Sequence, residues 1–361
     1  MKNRIIKIAT LALATAALGG AYAENPKVIR FGYPGTGTGG RPYVGGSFVA
    51  YARAAGLLEQ EFKNDGIKVD WTFFKLAGPA INEAFANKLL DISLLGDQAA
   101  IAGKAGGLNT KIILATGVRG VTYVVVPSDS PIQSLQDLKG KRVALFRGTA
   151  IQLAANRILE ANGLSEKDIR SVNMDGLAAQ AALASKDIDA LFTIGSGALQ
   201  QQDQGIGRII YSGKQDDRVT GYASGLVVDG DFEKNNPQIV QRIVNVLVKA
   251  AQWSTDDKNR EALLQSWAKS GTSYSAFKRD LEGQDLQAIL SPVIDDYFRA
   301  TWKKAVFDVK RFKFIRNDVN VDEWIEPKYA RNALHSLNLE NNWVRYAADG
   351  KPLQVTAVQE P

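Results

Sequence analysis

The stretch VALFRGTAIQLAANRIL, residues 143–159, carries an apolar, strand-like run to Arg147, Gly148 and Thr149 and passes straight into a helical pattern. A helix start presents unpaired backbone N–H groups and a partial positive charge, and glycine lets a ligand approach them closely. The same ingredients recur at Gly35-Thr36, Gly78, Gly96-Asp97-Gln98, Gly176 and Gly195-Ser196-Gly197. Backbone donors joined by the hydroxyls of Thr36, Thr149 and Ser196 suit a small oxyanion. Any one of these segments alone reads more readily as a capped strand-to-helix turn than as an anion cradle, so the chemistry requires that they converge.

Other chemistries find few residues. The chain has no cysteine, which removes disulfides, thiolate metal ligands and a cysteine nucleophile. Its single histidine, His335, stands in the C-terminal tail, far in sequence from every glycine segment, and a Ser-His-Asp site would have to recruit it. Gly195-Ser196-Gly197 lacks the Gly-x-Ser-x-Gly elbow, and GTGTGG at residues 35–40 is not followed by the Gly-Lys-Ser/Thr of a P-loop. The residues read as those of a binder and not an enzyme, with no cofactor and no metal expected.

Convergence has to come from the fold, and the chain carries an internal repeat. Residues 78–96, GPAINEAFANKLLDISLLG, align with residues 176–194, GLAAQAALASKDIDALFTI, placing Gly78 over Gly176, Ala84 over Ala182, Lys88 over Lys186 and Asp91 over Asp189. In each copy a glycine opens a short helix, an acidic residue marks its end, and an apolar run follows as a buried parallel strand. Lys88 and Lys186 sit near the helix ends, where cations suit the dipole. Further upstream, KVIRFGYPGT and GKRVALFRGT both end a strand in Gly-Thr ahead of a helix. Two βα lobes of one plan follow. Ligands of open α/β sheets bind beyond the carboxyl ends of the strands, so two facing lobes gather both sets of loops around one cleft.

The opening 23 residues have a basic head with Lys2, Arg4 and Lys7, an apolar run from Ile8 to Leu18, and Ala21-Tyr22-Ala23 as a small-x-small cleavage site. This is the pattern of a secretory signal cleaved after Ala23. Nothing later approaches roughly 18 consecutive apolar residues, so a soluble exported protein is expected. Removing 23 of 361 residues leaves about 338, enough for two lobes or domains, and losing three cations takes the formal charge from +6 to about +3. That is ordinary solubility charge and does not point to nucleic acid. The basic, aromatic patch WKKAVFDVKRFKF, residues 302–314, accordingly reads as a solvated helix followed by a short strand, or as surface offered to a membrane permease. From Pro237, which suits a first helical position, the spacing places Ile239, Val240, Ile243, Val244, Leu247 and Val248 on one face of a covering helix.

The segments IRFGY, ARAAGLLEQEF, FKLAGPAINEAFANKLLDISLLGD, SPIQSLQDLKGKRVALFRGTA, AANRILEANGLSEKDI and ALASKDIDALF follow one another over about two thirds of the mature chain. Through them the sequence from Val28 to Asp231 resembles the exported solute-binding proteins of ABC importers, in the branch that takes aliphatic sulfonates, taurine and nitrate. The tail VDEWIEPKYARNALHSLNLENNW is similar to the closing helical segment of such proteins. The resemblance implies an α/β, bilobal fold of periplasmic-binding-protein type II (Venus flytrap), two βα lobes with a ligand cleft between them that closes about a hinge. It implies a signal peptide over 1–23, lobe I over 24–120 and again over 223–361 with the C-terminal helical segment, and lobe II over 121–222, with crossovers near 119–126 and 211–226. The implied function is the periplasmic component of an ABC import system, a monomer that captures a small organic anion, an aliphatic sulfonate first, and delivers it to a permease in the inner membrane. Nitrate, carboxylates, aromatic ligands and cofactor precursors are the alternatives on the same fold, as is a sensor feeding a membrane receptor. Carried over by position, the ligand contacts fall on the loop after Tyr33 with Thr36, on Gly78 to Ala80, on Gly96, Asp97 and Gln98, on Gly148 and Thr149, and on Ser196.

Two departures widen the choice of ligand. Many relatives follow the second-lobe strand with a tryptophan-bearing W-x-P turn, where this chain has LFTIGSGAL, residues 191–199, and the loop GTGTGGRPYVGG, residues 35–46, is longer and richer in glycine. A relative of this fold makes a thiamine pyrimidine by consuming its own histidine beside a cysteine-rich iron segment; a chain with no cysteine and His335 alone departs from that chemistry. Several side chains keep two readings. Arg119, at the first crossover, is either a bidentate partner for the anion or a hinge arginine. Tyr222 and Tyr43 either wall the pocket or pack elsewhere. Asp97 either caps its helix or faces an amine on the ligand. Arg41 belongs to a surface loop or a lid, and Arg147 and Lys75 extend along the surface.

Overall fold

Strands apolar on both faces need a covering layer on each side, and Val124, Val125 and Val126 are all fully buried. The computed structural model describes residues 25–353 apart from 217 and 220, so the leader and its cleavage point after Ala23 lie outside the described residues. Among those residues the strands form two five-stranded sheets. The first contains β1 (Val28–Pro34), β2 (Lys68–Phe74), β3 (Ile92–Gly96), β4 (Thr110–Gly120) and, much later in the chain, β10 (Tyr222–Asp229), in the order β2-β1-β3-β10-β4. The second contains β5 (Thr122–Pro127), β6 (Arg142–Leu145), β7 (Arg170–Asn173), β8 (Ala190–Ile194) and β9 (Gly207–Ser212), in the order β7-β6-β8-β5-β9. Each sheet has three parallel strands from one run of chain, while its antiparallel fourth strand arrives from the other sheet: β10 lies between β3 and β4, and β5 between β8 and β9. The chain therefore crosses twice between the sheets, at Val121 and between Ser212 and Tyr222.

The repeated residues do matching work. Lys88 (φ +56°) and Lys186 (φ +64°) are left-handed residues just past their helices, and the next residue closes the turn in each, Leu89 N–H to Ala84 O at 2.8 Å and Asp187 N–H to Ala182 O at 2.9 Å. The backbone N–H of Arg30 donates to Asp91 Oδ2, and that of Arg142 to Asp189 Oδ2, both at 2.7 Å. The guanidinium of Arg30 reaches Lys88 O and that of Arg142 reaches Lys186 O. The lysine positions are thus turn residues whose carbonyls are read by arginine; their ammonium groups pair with Asp229 (3.0 Å) and Asp129 (2.5 Å).

One face of the first sheet is covered by the helix Pro237–Thr255, in which Ile239, Val240, Ile243, Val244, Leu247 and Val248 are at most 1% exposed. Each such side chain contributes about 1.5–3 kcal/mol by leaving water. The helix Asp296–Arg311 covers the opposite face, with Trp302, Ala305 and Val309 fully buried, so the basic patch is a helix whose apolar side is core while Lys303, Lys304 and Lys310 stay solvated as expected. The segment after it forms a turn with Lys313 at φ +62° and not the expected strand. This helix also ties the lobes together. Fully buried Asp308 accepts from Arg157 Nε (2.7 Å), on the second lobe's helix Ala150–Ala161, and from Arg311 Nε (2.8 Å), while Arg157 Nη1 reaches Gly221 O at 3.3 Å and pins the second crossover.

Candidate functional site

A cavity of about 440 Å³, within the range of small-molecule sites, lies between the two sheets. Tyr33, Phe146, Trp267 and Phe277 give it aromatic walls, with the Trp267 and Phe277 rings 5.5 Å apart. Tyr33 and Ser47 share a hydrogen bond of 2.8 Å, and burial pushes the Tyr33 phenol up to about 12, so it stays neutral. The glycine-rich loop closes over one side: Thr38 N–H donates to Ser270 O at 2.8 Å and Gly37 lies directly against that carbonyl.

Helix starts converge here, but the protein itself occupies most of them. Asp175 caps the helix Gly176–Ala184 by accepting from Leu177 N–H and Ala178 N–H, both at 3.1 Å. The helix Asp97–Ala105 begins with Asp97 Oδ1 on Gln98 N–H at 2.7 Å. At the helix Gly195–Asp203, the Asp280 carboxylate lies against Gly195, where a Cβ would come nearer than 3.0 Å to its Oδ1. The helices Ala77–Ala86 and Ala150–Ala161, one from each lobe, start without a side-chain cap. Their amide dipoles are the natural seat for an anion. Gly78 permits this arrangement, since a Cβ there would come nearer than 3.0 Å to Ala99 Cβ and sit 3.4 Å from Gly148 O across the cleft. Ala77 holds φ +49° at the helix start, a conformation that disfavours a side chain and turns the chain toward the cavity.

Of the residues singled out from sequence, Thr36, Gly78, Gly96, Arg119, Thr149, Ser196 and Tyr222 line this cavity, whereas Ala80, Asp97, Gln98 and Gly148 do not. The reasons are local. Asp97, fully buried, also accepts Ala223 N–H at 3.1 Å and so anchors β10; burial raises its pKa, opposed by Arg157. Gln98 turns away to donate to Gln152 Oε1 at 2.9 Å, and the same Gln152 oxygen takes the Gly148 N–H at 2.9 Å, so that amide serves the loop and not a ligand. Thr149 Oγ1 donates to Phe146 O at 2.7 Å, so its hydroxyl proton is already engaged within the loop. The Arg119 guanidinium lies between Tyr297 and Tyr346, 4.5 and 4.9 Å from their ring centres, with Nη2 3.4 Å from Gly350 O. The Tyr222 ring fills the space that a side chain at Gly120 would need, and burial raises its phenol.

Arg147 is engaged by Glu166 at 3.1 Å, and Lys75, exposed as expected, stands at the rim of the cavity and reaches across to Asp175 at 3.7 Å. Arg41 is exposed and Tyr43 half-buried under Arg53, with 5.8 Å between guanidinium and ring. His335 is 86% exposed, pairs with Glu340 at 2.7 Å and is not among the cavity's residues. Asp280, Lys214 and Gln152 had no sequence signal, because each acts on a segment distant in the chain or through a backbone amide.

A family signature described as NMT1/THI5 like matches residues 59–261, more than half of the chain. The chain belongs to the NMT1/THI5-like family. Among the relatives of this NMT1/THI5-like protein, a Bacillus subtilis (strain 168) protein named for binding aliphatic sulfonates is 28% identical over 286 residues, 78% of this chain and 83% of that one. The solved structure of the periplasmic sulfonate-binding protein SsuA from Methylobacillus flagellatus KT is 30% identical, covers 90% of this chain and 98% of its own, and superposes with a TM-score of 0.71. The two-lobed binding-protein fold is therefore established. A Rhodococcus erythropolis 2'-hydroxybiphenyl-2-sulfinate desulfinase is 28% identical over 155 residues, 43% of this chain and 41% of that enzyme, so the proteins similar to this chain include an enzyme as well as binding proteins.

Proposed function

We propose that this family member is the exported, periplasmic binding component of an ABC importer and that it captures a small organic anion, an aliphatic sulfonate, by closure of two lobes. The moving parts are 24–120 with 223–361, and 121–222; the leader is 1–23; the partner is an inner-membrane permease; and the working form is a monomer. The observation that carries the reading is the pair of uncapped helix starts, at Ala77 and Ala150, on opposite sides of one partly apolar cavity. An oxyanion between them is held by both lobes at once, so binding favours the closed form. The aromatic walls suit an alkyl or aryl chain. Binding without turnover is supported by the missing cysteine and by a lone histidine outside the cavity.

The test is a thermal-shift screen of the mature chain, refolded to strip any carried ligand, against alkanesulfonates, taurine, nitrate, carboxylates and phosphonates. A ligand at 100 times its dissociation constant adds roughly 2.7 kcal/mol, a rise of several degrees. A response confined to sulfonates supports the reading, and a response confined to nitrate or carboxylates removes it.

A further inference from the structure

One group in the cavity has no part in holding an anion. Asp280 ends the helix Tyr274–Asp280, whose Phe277 belongs to the first lobe's core, yet its carboxylate reaches the second lobe and lies against Gly195, at the start of the helix Gly195–Asp203. Tyr123 Oη donates to Oδ1 at 3.3 Å, and Lys214 Nζ lies 3.9 Å away while bonding the Asp280 carbonyl. Gly195 admits this carboxylate, since a Cβ there would come nearer than 3.0 Å to Asp280 Oδ1. Its placement is fixed by neighbours: Arg279 grips Asp203 and Gln202 (2.8 Å), and Ser273 N–H donates to Gln200 Oε1 at 2.8 Å. The side chain nonetheless keeps 22% of its surface exposed and lines the cavity.

We propose that Asp280 is a charge filter that reserves the Gly195 end of the cavity against a second negative charge, so that the site takes monosulfonates with a neutral or cationic far end and rejects α,ω-disulfonates and sulfocarboxylates. The inference rests on the sulfonate reading above. A helix start already occupied by a carboxylate has no positive end left to offer, and a second anion there meets a fixed like charge. Lys214 offsets that charge only in part, being beyond hydrogen-bond distance of the carboxylate.

The experiment is calorimetric titration of the mature chain with propane-1-sulfonate and propane-1,3-disulfonate, reading the ratio of the two affinities within each protein. Wild type favours the monosulfonate by on the order of tenfold or more; Asp280→Asn, which keeps the side chain's shape and removes its charge, brings the ratio to within about threefold; and Lys214→Met widens it. A wild type that binds both equally, or an unchanged ratio in Asp280→Asn, overturns the filter and leaves the sulfonate reading standing. A wild type that binds no monosulfonate overturns both. Should Asp280→Asn fail to fold by circular dichroism, the Lys214→Met ratio decides, and a ratio equal to wild type's overturns the filter.

Discussion

Replacing Gly78 by alanine adds one methyl group at the point where the first lobe's helix meets the cavity. That methyl would come nearer than 3.0 Å to Ala99 Cβ, a separation that Cβ atoms do not tolerate, so the helix Ala77–Ala86 has to retreat by on the order of 1 Å. Overpacking of this kind costs about 1–3 kcal/mol and lowers the melting midpoint by a few degrees. A hydrogen bond of about 2.9 Å does not survive a shift of that size, and losing one charge-assisted bond removes about 1.5–3 kcal/mol. The affinity for propane-1-sulfonate falls about ten- to a hundredfold. Changing Ala99 to glycine as well removes the obstruction, leaving Gly148 O at 3.4 Å and the residue-99 Cα at 3.6 Å as the nearest atoms. Affinity therefore returns in Gly78→Ala/Ala99→Gly, although glycine inside the helix Asp97–Ala105 keeps a stability deficit of about 1 kcal/mol. Calorimetry and thermal melts on the three proteins read both quantities. Wild-type affinity in Gly78→Ala, or a double variant as weak as the single one, refutes the reasoning.

Asp308→Asn removes the buried carboxylate that Arg157 and Arg311 share and destabilises the chain by about 3–5 kcal/mol in urea unfolding, whereas an unchanged midpoint shows that the buried pair adds nothing. Arg119→Ala changes propane-1-sulfonate affinity by less than about threefold while costing about 1–2 kcal/mol of stability, because its guanidinium is spent on Tyr297 and Tyr346; a hundredfold loss of affinity instead makes it an anion partner. Burial alone raises the Glu233 carboxyl, but hydrogen bonds from Lys328, Tyr329 and Lys111 bring it down to about 2. A depressed carboxylate stabilises the fold above its unfolded pKa and loses that contribution as pH falls from about 4.5 toward 2, so Glu233→Gln flattens the acid limb of stability measured by urea unfolding across that range.

The repeat was legible because its residues do local work: a glycine stands in the first two positions of each helix, a left-handed lysine follows its end, and an aspartate holds the neighbouring strand's backbone through Arg30 or Arg142. The apolar face of Pro237–Thr255 was legible from its 3.6-residue spacing. What sequence could not supply was the partner of each helix start. Gly148, Asp97 and Gly195 all carry the pattern of an anion loop, but Gln152, Ala223 and Asp280 engage them, and two of those three partners lie 85 or more positions away in the chain. A helix N-terminus looks the same in sequence whether a ligand or the protein's own carboxylate fills it. The Asp296–Arg311 helix was half legible for a related reason, since its charges mark the solvated face and Trp302, on the other, is the residue that decides its place against the sheet.

A crystal structure of the mature chain grown with propane-1-sulfonate tests the central claim most directly. The account predicts one sulfonate per chain in the cavity between the sheets, its oxygens accepting backbone N–H groups at the starts of the Ala77 and Ala150 helices, with Asp280 still against Gly195. A sulfonate seated on the Gly195 helix with Asp280 displaced, or bound outside the cleft, contradicts it.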